Sequence, residues 1–288
     1  MYEIVGKEQL APVTTLLRVS APEVARKAQA GQFVILIAIE SGERIPLTLG
    51  DWDREKGTVD LVFQQVGKTT ALLATFEPGD SLYALTGPLG RPSEIQHYGT
   101  VACVGGGVGI AAVYPIARAL RSAGNKVHTI MGCRSKDLIF WEEKMAALSD
   151  EPLVCTDDGS YKRKALVTEP LAELLERERV ARVWAVGPAI MMKFSALTCK
   201  RYETPVIVSL NSIMVDGTGM CGACRVEIGG ETRFACVDGP EFDGHLVNWD
   251  LLLEKQRLYL DSERLALERF REQQCACGSR KEGAHEAA

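Results

Sequence analysis

Four side chains stand at spacings that can gather a metal centre. Four residues separate Asp216 from Cys221, two separate Cys221 from Cys224 and eleven separate Cys224 from Cys236, with Gly217, Gly219 and Gly222 among them. Soft thiolates on short glycine-rich spacers suit iron and sulfide, because glycine lets the backbone fold round an inorganic core and aim amides at the sulfides. The four-then-two spacing is that of plant-type [2Fe-2S] loops, with a distant fourth ligand and an aspartate where the first cysteine would stand. A zinc ribbon needs a second short cysteine pair, which Cys236 lacks, so tetrahedral zinc is the weaker reading. The bland alternative is three buried cysteines beside a glycine-rich turn.

Two further stretches can cradle phosphates. Val104-Gly-Gly-Gly-Val-Gly-Ile-Ala joins an apolar run to a helical one, so Gly105, Gly106, Gly107 and Gly109 let a pyrophosphate approach the backbone and a helix N-terminus. The usual third fingerprint glycine is missing, and a tight turn packing helix on strand is the competing explanation. Later strand ends supply Gly132-Cys-Arg134, Thr156-Asp157-Asp158-Gly-Ser160 and Gly187-Pro188 with Met191 and Met192. Arg134 suits a phosphate and Asp157 or Asp158 a ribose hydroxyl, against the commoner fate of solvated loop charges. Arg134, Ser135 and Lys136 could also welcome a 2'-phosphate. Nearer the N-terminus, Arg44-Ile-Pro46-Leu47-Thr48 follows a strand, and Val66-Gly67-Lys68-Thr69-Thr70 opens a short helix whose free amides suit a second pyrophosphate. A surface ion pair and a hairpin turn are their ordinary readings. Two cradles imply two nucleotides.

The elements that must position these groups follow from periodicity. Short alternating strands over residues 1–96 predict an antiparallel barrel with one helix from Thr69 to Phe76. Strand-helix repeats over 97–204 predict a parallel sheet covered on both faces, with a nucleotide at its carboxyl edge. Residues 205–249 form a cysteine module held by its metal, and 250–288 a charged amphipathic helix to about Gln274 and a disordered tail. The Cys275-Ala-Cys277 pair reads as a loose thiol pair. The fold class is α/β plus all-β. At 288 residues and 46% hydrophobic the chain can bury a full core, and a net charge of -5 without a basic stripe excludes nucleic acid and anionic membrane as partners. The N-terminal residues lack a signal-peptide pattern and no apolar run would insert in a bilayer, so a cytoplasmic location is expected. Nine cysteines then fit a reducing compartment, with Cys103, Cys133, Cys155 and Cys199 as small core residues.

In sequence order Arg-x-Pro-Leu-Thr, Gly-Lys-Thr-Thr, Gly87-Pro-Leu-Gly90 and Gly-Gly-Gly-Val-Gly-Ile-Ala resemble the ferredoxin reductase superfamily of flavin and nicotinamide enzymes. Asp-Gly-Thr-Gly-Met-Cys-Gly-Ala-Cys and Phe-Ala-Cys-Val-Asp-Gly-Pro-Glu-Phe-Asp-Gly resemble one branch, the small (alpha) subunits of NADH-dependent reduced ferredoxin:NADP oxidoreductases, also called sulfide dehydrogenase beta subunits. The likeness runs to about Trp249. It implies that Asp216 is a cluster ligand with Cys221, Cys224 and Cys236. It also implies that Arg44 and Thr48 contact a flavin, that Pro46 and Leu47 line its edge, and that Gly67, Lys68, Thr69 and Thr70 hold the FAD pyrophosphate. The glycines from Gly105 to Gly109 would serve NAD(H), with NADP(H) less favoured. The implied function is electron transfer between NAD(H), FAD and a [2Fe-2S] cluster. The implied partner is a larger flavin and iron-sulfur subunit that reacts with NADP(H) and ferredoxin, or polysulfide. The electron-transfer subunit of dihydroorotate dehydrogenase has the same layout with four cysteine ligands and is the alternative. A redox-sensing module without turnover is a third reading.

Overall fold

The computed structural model describes residues 1–285, with side chains through Gln274. Alternating apolar residues draw the first part of the chain into seven antiparallel strands: β1 (Tyr2–Ala11), β2 (Thr14–Ser20), β3 (Phe33–Ile37), β4 (Arg44–Asp53), β5 (Thr58–Gln64), β6 (Ser81–Leu82) and β7 (Ala84–Leu89). Their order, β6-β1-β2-β5-β4-β3-β7, nearly closes into a barrel because the two end strands are joined through Tyr83. Ile4, Leu17, Leu36, Leu49 and Leu61 fill it, with α1 (Pro22–Lys27) and α2 (Lys68–Leu73) at its rim. The Arg44-to-Thr48 stretch follows β3, as its sequence suggests, and is itself the first half of β4, which the sequence does not show. Pro46 disguises it, since proline cannot donate to a ladder; here it stands opposite Ile35 of β3.

A second sheet is built from β8 (Thr100–Gly106), β9 (Lys126–Cys133), β10 (Glu151–Thr156), β11 (Arg163–Lys164), β12 (Arg182–Val186) and β13 (Val206–Ser209). Successive residues of β8 serve opposite faces, as strand pleating requires. Val101 and Cys103 pack with α3 (Gly109–Ser122), while Ala102 and Val104 pack with α5 (Thr168–Arg177) and α6 (Ala189–Arg201); the short α4 (Glu142–Ala146) lies on the α3 side. The segment from Val206, read from sequence as the start of the cysteine module, is a strand of this sheet, paired parallel with β12.

The cysteine module contributes a hairpin, β14 (Arg225–Ile228) and β15 (Glu231–Phe234), and then β16 (Glu241–Asp243). β16 adds antiparallel to β13, giving the order β11-β10-β9-β8-β12-β13-β16. The C-terminal helix is divided at Leu258 and Tyr259 into α7 (Trp249–Arg257), capped by the Asn248 side chain on the Leu251 amide, and α8 (Leu260–His285). α8 lies against α2 and runs past Gln274, where the sequence pattern ends it; the side chains of Cys275 and Cys277 lie outside the described residues. Among the described residues no helix is long and apolar enough to cross a membrane.

Polar ties join the three parts. Arg118 of α3 bonds Asp51 of β4 at 2.6 Å and stacks over Trp52 and Tyr114 at 5.1 and 5.3 Å. The Arg91 amide donates to the Gly239 carbonyl at 2.7 Å, and the Ser93 hydroxyl to Glu241 at 2.5 Å, so the barrel's exit segment is fastened to the cysteine module. Burial raises the Glu241 carboxyl to about 7, opposed by the Ser93 bond and by the Trp184 indole turned toward it. A carboxyl raised in the folded state contributes stability that is complete below its unfolded pKa and is lost as pH rises through the folded one. Glu241→Gln, which keeps the shape without the charge, should abolish a pH-dependent loss of roughly 3 kcal/mol at most between about pH 5 and pH 8. Thermal unfolding of both proteins across that range checks it; parallel pH profiles would refute it.

Candidate functional site

The hairpin explains how cysteines far apart in sequence meet. Gly229 and Gly230 both have positive φ, 60° and 82°, as a two-residue turn matched to strand twist requires. Cys224 and Cys236 sit just outside the paired ends of β14 and β15, where the Ala235 amide donates to the Cys224 carbonyl at 3.1 Å. Their sulfurs stand 3.2 Å apart, both 1% exposed. Burial, then the neighbouring Cys224, pushes the Cys236 thiol up to about 12. An incoming metal therefore has to displace a tightly held proton.

Asp216 closes the other side. Its carboxylate accepts from the amides of Thr218, Met220 and Cys221 at 2.9, 3.1 and 2.8 Å, and the Thr218 bond above all holds it below the usual carboxylate range. Cys221 is exposed beside it, and the Gly219 amide and Asp216 charge both act on Cys236. Asp216 is thus tied to Cys221 and Cys224 to Cys236, and the Asp216 charge reaches Cys236. Three sulfur donors, one ionised oxygen donor and a loop turned through positive φ at Gly217, Gly219 and Gly222 fit an iron-sulfur cluster.

The loop is seated on the barrel. A Cβ on Gly217 would lie 2.6 Å from Leu89 Cδ1 and 2.9 Å from Ile35 Cγ1, and Ile35 pairs with Pro46 of β4. Arg44, Pro46, Leu47 and Thr48 therefore line the strand next to the one the cysteine loop touches. The second half of that cradle is joined to the first: the Thr69 hydroxyl donates to Glu43 at 2.6 Å, immediately before Arg44. Thr70 accepts from the Val66 and Gly67 amides at 3.1 and 3.0 Å, leaving the amides of Lys68, Thr69 and Thr70 as first-turn donors. Glu43 escapes a sequence reading because a loop glutamate carries no pattern.

Gly105, Gly106, Gly107, Gly109, Arg134, Asp157, Asp158 and Gly187 all fall at the carboxyl edge of the parallel sheet, where β8, β9, β10 and β12 end. Their jobs differ. A Cβ on Gly109 would meet the Val186 carbonyl at 2.2 Å, one on Gly105 the Ile110 Cα at 2.9 Å, and one on Gly106 the Met191 sulfur at 2.2 Å, so these three admit close helix packing. Gly107 alone has positive φ and open space, its nearest neighbour being Gln64 of the barrel at 3.8 Å, a cleft residue the sequence did not single out. Asp158 is engaged by the Ser160 amide at 2.9 Å, which leaves Asp157 as the available carboxylate. At the opposite edge of the sheet the buried His128 lies near Glu178 and Glu151, 3.2 and 3.6 Å away. Those carboxylates are already held by Lys126 and Arg177, a salt-bridge group rather than an open metal site.

Residues 211–248 match the iron-sulfur cluster binding domain of dihydroorotate dehydrogenase B. The chain is 48% identical over 270 residues to a homologue of the dihydroorotate dehydrogenase B (NAD(+)) electron transfer subunit from Thermotoga maritima, covering 94% of this chain and 95% of that protein. It is 36% identical over 249 residues to the electron transfer subunit from Bacillus caldolyticus, covering 83% and 94%. The solved structure of an NADH-dependent reduced ferredoxin-NADP oxidoreductase, a study of flavin-based electron bifurcation, superposes with a TM-score of 0.89 at 48% identity over 94% of this chain and 98% of that one. Phthalate dioxygenase reductase, at 16% identity, 79% and 85% coverage and a TM-score of 0.57, shares the fold alone. Barrel, parallel-sheet domain and cluster module in this order define a ferredoxin reductase-like oxidoreductase subunit. Within that class the chain belongs to the family of dihydroorotate dehydrogenase B electron transfer subunits and their homologues.

Thr70→Val should remove the hydroxyl that holds the start of α2, costing about 1 kcal/mol and loosening the phosphate cradle. Thermal unfolding and flavin retained after gel filtration check this; full retention at unchanged stability would contradict it.

Proposed function

We propose that this chain is an electron-transfer subunit that takes FAD in its barrel, NAD(H) at the carboxyl edge of its parallel sheet and a [2Fe-2S] cluster on Asp216, Cys221, Cys224 and Cys236. When bound, the flavin exchanges a hydride with the nicotinamide and single electrons with the cluster. The protein's share is placement. Arg44 and Thr48 hold the flavin and its phosphates, Pro46 and Leu47 its edge, and the amides from Gly67 to Thr70 its pyrophosphate. Gly107 and the start of α3 receive the nicotinamide dinucleotide, helped by Arg134 and Asp157. Cys224 and Cys236 form one ligand pair, and Asp216 with Cys221 the other.

The observation that carries this reading is the seat of the cluster loop: Gly217 lies on Ile35, and Ile35 is paired with Pro46 of the flavin strand. The coenzyme preference follows from neighbouring bonds. Ser135 is held by Asp137 at 2.5 Å and Lys136 stacks on Tyr161 at 5.2 Å, so Arg134 alone remains for a 2'-phosphate, which favours NAD(H) over NADP(H). All seven described cysteines are free, which suits the reducing cytoplasm.

The electrons pass to or from a larger subunit carrying a second flavin and further clusters, where NADP(H) and ferredoxin, or polysulfide, react. Asp216 as a ligand and the 48% identical oxidoreductase structure support that partner. The match of residues 211–248 supports a second reading, in which the partner is a dihydroorotate dehydrogenase. The protein that co-purifies without oxygen decides between them.

In the anaerobically purified complex, Cys224→Ala should abolish the paramagnetic signal of the reduced cluster while NADH still bleaches the flavin, and NADH should outperform NADPH with an artificial acceptor. Retention of the signal in that variant would refute the ligand assignment.

A further inference from the structure

Three glycines of the cysteine loop have positive φ, yet only one of them touches the barrel. Cβ atoms built on Gly219 and Gly222 would meet Val237 at 3.1 Å and Arg225 at 3.4 Å, both inside the module itself. At Gly217, φ +76°, the same atom would run into Leu89 of β7 and Ile35 of β3 at 2.6 and 2.9 Å. Leu89 and Ile35 lie on adjacent strands, and β3 is the neighbour of β4 through the pairs Phe33 with Thr48, Val34 with Leu47 and Ile35 with Pro46. Gly217 follows Asp216 directly, so whatever moves Gly217 off this seat moves the carboxylate ligand with it. The Cγ1 of Ile35 is close to its own backbone and cannot swing aside as a side-chain tip can, so a methyl group at position 217 has to lift the loop.

We propose that Gly217 is a positioning residue: its bare Cα on Ile35 and Leu89 sets how closely the cluster loop approaches the flavin strand, and with it the rate of electron exchange across that contact. The inference rests on the reading that β4 carries FAD and the Asp216 loop a cluster. Gly217 touches neither cofactor's reacting atoms. It acts through the distance alone, and Gly219 and Gly222 shape the loop without setting that distance.

The test uses the anaerobically prepared complex with both cofactors. Flavin bleaching and cluster reduction after mixing with NADH are followed in the same reaction, and their ratio is the readout. In Gly217→Ala the second rate should fall several-fold relative to the first, and the dipolar coupling between the one-electron-reduced flavin and the reduced cluster should weaken. Adding Leu89→Ala, which clears part of the obstacle, should restore part of both. Should Gly217→Ala fail to assemble its cluster, Leu89→Phe lifts the loop from the barrel side without altering the ligand loop and should give the same two effects. Unchanged ratio and coupling in whichever of these variants assembles would overturn the positioning role. A wild-type complex whose cluster is never reduced after flavin bleaching would instead overturn the reading beneath it, so the two failures are distinct.

Discussion

The β14–β15 hairpin holds two buried thiols, Cys224 and Cys236, with their sulfurs 3.2 Å apart, and the rest of the C-terminal architecture keeps that hairpin in place. The hairpin has few apolar residues of its own, so it is pinned from outside. β16 extends the parallel sheet, Gly90 and Pro240 pack together beneath Phe33, and α7 returns across β14. A module of this size gains from metal binding the stability that a larger domain draws from its core.

The same pins fix the relation between the three chemical stations. β16 makes the cluster module an edge of the nucleotide sheet, the Arg91-to-Ser93 segment ties both to the barrel, and Arg118 with Trp52 and Tyr114 locks α3 onto β4. Each cradle therefore sits on a rigid element and faces its neighbour through packed contacts. No general acid, base or nucleophile is called for, because the cofactors carry the chemistry and the protein supplies geometry and electrostatics.

Much of this was legible in the sequence, for identifiable reasons. The cysteine spacing marks an iron-sulfur binding domain, which residues 211–248 match, because thiolate chemistry tolerates few alternatives, and the strand-helix rhythm after Gly99 repeats often enough to define a parallel sheet. Local signals failed where a residue did two things at once. Pro46 hides β4 because a proline argues against a strand, although here it faces Ile35 across the ladder. Val206 to Ser209 looks like a prelude to the cysteines because the strand it pairs with, β12, lies on the far side of α6 in the sequence, a relation only the fold creates. Gly105, Gly106 and Gly109 look in sequence like phosphate-loop glycines alone, yet a Cβ on each would also collide with packed neighbours, and Gly107 is the open one. Glu43 and Gln64 owe their places to neighbours from distant segments, and nothing in their own surroundings marks them.

The central claim is that Asp216, Cys221, Cys224 and Cys236 hold a two-iron cluster beside a flavin. Iron, acid-labile sulfide, zinc and flavin measured per chain on protein purified without oxygen test it most directly. Two irons, two sulfides and one flavin in this chain, with zinc absent, are the expected composition. A single tightly bound zinc, or flavin without iron, would contradict the account.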